Sequence, residues 1–91
     1  MSWLFEFDDA KSAGNKLKHG IDFVEAQALW ADEKQFIVSA RSTGEVRWIA
    51  IGEIDGKHWS AVYTLRDDVL RIISVRRARD YEIEFYHSRR A

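Results

Sequence analysis

The chain has 91 residues, 46% of them hydrophobic and 13% aromatic, with a formal net charge of -1 and neither cysteine nor proline. A chain of this length builds one core and hides about 60 to 65% of its unfolded surface, so residues 1–91 are expected to form a single domain. The lack of cysteine excludes a disulfide framework and a thiolate metal site; with no apolar run of membrane-spanning length and no signal-peptide pattern over Met1–Asp9, a cytoplasmic protein without a membrane partner is expected.

Trp3 to Phe7 alternates apolar and polar residues and predicts a short strand. Asp8 or Asp9 then offers an N-cap for a helix through Lys18, which Gly20 closes. Asp22 is placed to cap a second helix ending near Asp32, with Phe23, Ala26, Leu29 and Trp30 at helical spacing as its buried stripe. From Gln35 the chain turns β-branched and aromatic, which predicts strands over Gln35–Ala40, Glu45–Ile54, Lys57–Arg66 and Val69–Val75. Arg77–Ser88 reads as a final helix with Tyr81, Phe85 and Ala78 facing inward. The order βααββββα describes an α+β fold, an antiparallel sheet packed against helices.

Asp55-Gly56 is the sharpest local signal, because Gly accepts positive φ without steric cost and the pair favours a two-residue type I′ hairpin. That turn sets Ile54 opposite Lys57, then Glu53 with His58, Ile51 with Ser60, Ile49 with Val62 and Arg47 with Thr64 on one face. The other face pairs Gly52 with Trp59, Ala50 with Ala61 and Trp48 with Tyr63, and its apolar character makes it the core side. A second tight turn at Asp67-Asp68 brings Arg71 beside Thr64, so that Arg47, Thr64 and Arg71 form a row across three strands that could hold a phosphate. A loop longer by one residue would send Arg71 to the opposite face.

The small net charge conceals a local excess, since Arg71, Arg76, Arg77, Arg79, Arg89 and Arg90 crowd the last quarter. Attraction to phosphate is local, because salt screens charge over about 8 Å. Arg76, Arg77 and Arg79 fall at the predicted start of the final helix, where the helix dipole already disfavours cations. Guanidinium forks beside free backbone N–H groups make an anion site; internal pairing with Asp80, Glu82 and Glu84 is the alternative. Lys18 and His19 complement the dipole at the end of the first helix, so a structural and a chemical role both stand.

There is no Gly-rich phosphate loop or nucleophile elbow, and three separated histidines give no metal-ligand spacing, so no metal and no other cofactor is expected. RNA carries its own nucleophile, the 2′-hydroxyl. A ribonuclease needs only to orient that group, take its proton, stabilise the phosphate and protonate the leaving oxygen, work that Arg, Lys, His and a carboxylate can do. His19 suits proton transfer near neutral pH. Glu53 with His58 is a second acid/base pair or, beside the turn, an exposed ion pair. Trp59, Tyr81 and Tyr86 are available to stack on bases, although aromatic residues at such spacing usually form core.

Phe5-Glu6-Phe7-Asp8, Lys11, Asn15, Lys18-His19-Gly20, Phe23, Glu25-Ala26 and Asp32 together resemble the N-terminal signature of BrnT-family toxins. Arg47, Ile49–Gly52, Tyr63-Thr64, Arg66 and the run Arg71-Ile72-Ile73-Ser74-Val75-Arg76-Arg77-Ala78, with Glu82 and Tyr86, resemble the family's later strands and last helix. Val75 departs from the more usual Ala, and the tail after Ser88 matches nothing in that pattern. The resemblance implies a RelE/ParE-like ribonuclease toxin of a type II toxin–antitoxin pair, acting on RNA, on or off the ribosome, to slow translation and growth. Its implied partner is a BrnA-like ribbon-helix-helix antitoxin, through which alone it would meet operator DNA. Carried onto this chain, it implies Arg71, Arg76 and Arg77 as phosphate binders and transition-state stabilisers, with His19 and Lys18 handling protons or backbone contacts. Arg47, Thr64, Arg79, Glu82 and Tyr86 complete the expected RNA-contacting set. The alternative is an antitoxin- or protein-binding module of the same fold with weak or no nuclease activity.

Overall fold

The computed structural model describes residues 3–40 and 43–88; Arg89 and Arg90 of the arginine cluster lie outside the described residues. The elements are β1 (Leu4–Glu6), α1 (Asp9–His19), a 3-10 helix (Glu25–Ala31), β2 (Phe36–Ala40), β3 (Arg47–Ile54), β4 (Lys57–Arg66), β5 (Val69–Arg77) and α2 (Asp80–Ser88). They form the expected α+β arrangement around one five-stranded sheet of order β1-β5-β4-β3-β2. Strands β2 to β5 make an antiparallel meander, while β1 runs parallel to β5. The sheet is therefore mixed, and the long chain between β1 and β5 permits that parallel pairing.

The Asp8 side chain accepts from the Lys11 N–H at 2.9 Å and starts α1, and Gly20, at φ 84, closes it by donating to the Lys16 carbonyl. Asp22 caps the next segment through the N–H groups of Val24 and Glu25. That segment buries Ala26, Leu29 and Trp30 as expected, but it winds as a 3-10 helix rather than an α-helix. A 3-10 run of seven residues is longer than such helices usually sustain on their own, so the packing of Ala26, Leu29 and Trp30 in the core holds it.

Asp55 and Gly56 both take positive φ, 50 and 80, and the hairpin pairs Gly52↔Trp59, Ala50↔Ala61 and Trp48↔Tyr63 as the turn chemistry requires. These residues face α1 and the 3-10 helix over a core that includes Phe23, Leu29, Leu70, Ile72 and Val75. Gly52 belongs there for a steric reason: a Cβ at this position would sit 2.9 Å from Leu29 Cδ2 and 3.6 Å from the Leu29 carbonyl oxygen. Gly52→Ala is expected to cost about 1 to 3 kcal/mol, because Leu29 is fully buried and has nowhere to move. Urea unfolding checks this; an unchanged midpoint would show that the 3-10 helix lifts freely.

The opposite face is covered by α2, though not by the stripe expected from the sequence. Glu82 and Tyr86 point inward at 2% and 5% exposure, whereas Tyr81 and Phe85 are 52% and 46% exposed. The helix also begins at Asp80 rather than Arg77, and Arg76 and Arg77 are strand residues of β5. Polar groups turn inward because each finds a partner: Glu82 bonds Arg76 and Ser60, and the Tyr86 hydroxyl donates to Asp32 at 2.6 Å.

Candidate functional site

The site is governed by a β-bulge. From Arg66↔Val69 to Tyr63↔Ile72 the β4–β5 register is that of a tight turn, and it then slips by one residue, so that Val62 pairs with Ser74 and Ser60 with Arg76. Such a slip exchanges the two faces of a strand. Arg76 therefore joins Arg71 on the α2 side, and Arg77 goes to the other side, where its guanidinium carbon lies 5.4 Å from the centre of the Trp59 ring. The three arginines do not meet at one point.

Arg76 is held by Glu82 through a bidentate fork of 2.7 and 3.0 Å. Glu82 Oε1 also accepts from the Ser60 hydroxyl at 3.0 Å and from the Arg79 backbone N–H at 2.8 Å. The last bond is one half of a capping box, so the same carboxylate starts α2 and fixes Arg76. Burial pushes the Glu82 carboxyl up, but hydrogen bonds from Arg76, Arg79 and Ser60 outweigh it and hold the group below its ordinary range. Arg76 is pushed up by the same bond. A carboxylate so fully donated to is an anchor rather than a proton acceptor. The internal pairing weighed as an alternative to an anion site thus exists for Arg76.

Arg77 is exposed, with its Nε donating to the His58 carbonyl at 3.3 Å, and Arg79 is exposed at the start of α2. The Asn15 side-chain amide pairs with the backbone of Val75, donating to its carbonyl at 2.9 Å and accepting from its N–H at 3.2 Å. This pairing completes the edge of β5 as a neighbouring strand would, and it lays α1 alongside β5. Lys18 and His19 lie within about 6 Å of Asn15 along the helix, and Arg77 about 7 Å beyond Val75 along the strand, so both are near this one contact between α1 and β5. A cleft of about 510 Å³ adjoins this region, walled by Gly20, Ile21, Glu25, Asp55, Lys57 and Trp59; Lys18, His19, Arg76, Arg77 and Arg79 are not among the residues that line it.

The row inferred from the Asp67-Asp68 turn is present. Thr64 pairs with Arg71, Arg71 pairs with Glu6, and Arg47 takes the Thr64 side by alternation with Trp48↔Tyr63. Arg71 Nη1 donates to Glu6 at 3.0 Å, a partner the sequence did not reveal, and the buried Thr64 hydroxyl donates to the Val46 carbonyl at 2.6 Å. Arg47 Nε is buried with no hydrogen-bond partner among the described residues. This row stands about 13 Å from Arg76, the span from Ser60 to Thr64 along β4. Tyr86, which was expected to contact RNA, is buried against His58 and His87, at ring distances of 4.9 and 5.2 Å, and its ring is not presented to solvent. His58 and Glu53 are register neighbours, and Glu53 is exposed.

The family model for the ribonuclease toxin BrnT of type II toxin–antitoxin systems matches residues 7–82. The chain belongs to the BrnT family. No curated protein matches it. Membership brings a ribonuclease toxin's RNA substrate and an antitoxin partner. No described helix is long and apolar enough to cross a membrane. Within this BrnT chain, Asn15, Ser60 and Glu6 are the residues that single-residue reasoning missed. Each acts by holding another group, and nothing in residue type or spacing marks such a role; the run of family positions pointed only to Asn15 and Glu6.

Proposed function

We propose that this BrnT-family chain cleaves RNA without a metal ion. The 2′-hydroxyl attacks the adjacent phosphorus, the 5′-oxygen leaves, and the products are a 2′,3′-cyclic phosphate and a 5′-hydroxyl. The observation that supports this reading is the basic run at the end of β5, where Arg76, Arg77 and Arg79 lead into α2, together with the Asn15–Val75 pairing that lays α1, and with it Lys18 and His19, beside the same strand. In this scheme Arg77 and Arg79 take the scissile phosphate, with Arg76 fixed beside them by Glu82. His19 and Lys18 take the 2′-hydroxyl proton and supply one to the leaving oxygen. Arg71, with Arg47, holds a phosphate further along the RNA strand, about 13 Å away, while the buried Thr64 supports that row from within. Tyr86 acts by packing the inner face of α2.

Residues 1–91 act as one domain of RelE-like type in the cytoplasm, on ribosome-bound or free RNA. A BrnA-like ribbon-helix-helix antitoxin neutralises it and carries it to operator DNA. One observation favours a second reading, a binding module with weak nuclease activity: Arg76 and Arg71 are each spoken for by a carboxylate. Expression of the chain separates the two. Growth arrest relieved by co-expressing the protein of the adjacent open reading frame supports the toxin; unaffected growth with a tight complex of the two proteins supports the module.

A further inference from the structure

The chain leaves large apolar side chains in solvent beside α1. Leu17 is 91% exposed and Val24 is 62% exposed, and both line a groove of about 550 Å³ together with Phe7 and Ala13. Lone exposed apolar residues need no explanation, but apolar side chains gathered along a groove mark a binding surface. The helix has no folding reason to carry a leucine there, since Ser12 and Asn15 are its buried residues. The rim is acidic, with Asp9 and Asp22 lining the groove. Lys16 also lines the groove, but it binds Glu25 at 2.7 Å and attracts Asp22 as well, so one ammonium is shared among the carboxylates of Asp9, Asp22 and Glu25 and the rim keeps a negative excess.

We propose that this groove is the docking site of the antitoxin that BrnT membership implies, filled by an amphipathic helix that sets two or three apolar side chains on Leu17 and Val24 and basic residues toward Asp9 and Asp22. The sign of the rim selects this occupant. RNA is repelled by two carboxylates, and a second copy of the chain joined across a two-fold axis would set acidic rim against acidic rim. A basic-flanked apolar helix meets both the apolar lining and the rim, in the manner of helix-in-groove recognition. The inference rests on family membership for the partner's existence and uses none of the residues assigned to cleavage. It places capture of the antitoxin on a surface of its own, so that holding the toxin and silencing it are separable.

The test is Leu17→Ser combined with Val24→Ser, two exposed positions whose substitution leaves folding nearly untouched. The protein of the adjacent open reading frame is the probe, its affinity measured by calorimetry, with RNA cleavage followed on the same preparations. Affinity for the double variant is expected to fall by about 30-fold or more, with cleavage unchanged and with rescue of growth lost. Equal affinity for both forms overturns the proposal, as does a probe that fails to bind the unaltered chain. A dimer of the unaltered chain that the double variant dissolves would assign the groove to self-association instead. Loss of probe binding in a chain that never cleaves RNA would keep the groove and remove the nuclease reading.

Discussion

Arg77→Ala is expected to slow RNA cleavage by about 100-fold or more while leaving the protein folded. Removing one preorganised group that stabilises developing charge typically costs about 100- to 1000-fold in rate. Arg77 is the arginine of the cluster best able to reveal this loss, because its structural ties are slight: one hydrogen bond of 3.3 Å and a contact with the Trp59 ring. Exposed cation–π contacts contribute about 0.5 to 1 kcal/mol, a shift of about 4 °C in melting temperature for a chain of this size. Arg76 requires a different variant, because removing its side chain leaves Glu82 buried without its main partner. Arg76→Lys keeps the charge and loses the fork, so it separates positioning from mere charge. Activity within about twofold of the parent in Arg77→Ala would remove this residue from the chemistry.

Glu82→Ala is expected to produce the largest stability loss of any single substitution at the site, about 3 to 5 kcal/mol. The change strands three donors together: the Arg76 fork, the Ser60 hydroxyl and the Arg79 N–H at the start of α2. Small domains have about 5 to 15 kcal/mol in all, so the melting temperature should fall by roughly 20 °C. The same group sets the acid limit. Its folded pKa lies below its ordinary value of 4.5, so its contribution is complete above that pH and is lost as pH falls through the lower folded value. Asp32 acts in the same direction: burial raises its carboxyl, and hydrogen bonds from Tyr86, Lys34 and Glu53 more than offset that. Glu82→Gln should therefore flatten the decline of melting temperature below about pH 4.5. An unchanged slope would locate acid sensitivity elsewhere.

Local chemistry made much of this fold legible in advance. Asp55-Gly56 fixed a hairpin register that the structure repeats pair for pair from Ile54↔Lys57 to Trp48↔Tyr63, because positive φ at both turn positions is a property of those two residues. Asp8, Gly20 and Asp22 likewise announced their caps. Even the weak Asp67-Asp68 turn delivered Thr64↔Arg71, with Asp67 accepting φ 57. What stayed hidden was non-local. The bulge at Ile73 carries no sequence mark, yet it decides which face Arg76 and Arg77 occupy. The inward face of α2 misled hydrophobic spacing, because Glu82 is buried for the sake of Arg76 and Ser60, partners brought near by β4 and β5. The candidate site was thus legible as a neighbourhood and not as an arrangement.

The central claim is that side chains alone drive the 2′-hydroxyl onto phosphate. The most direct measurement is digestion of a defined RNA by purified protein in excess EDTA, with the new ends identified by mass spectrometry. Cleavage that persists in chelator and leaves 2′,3′-cyclic phosphate and 5′-hydroxyl ends is the predicted result. Activity that disappears with EDTA and returns with a divalent cation, or products bearing 5′-phosphate ends, would contradict it.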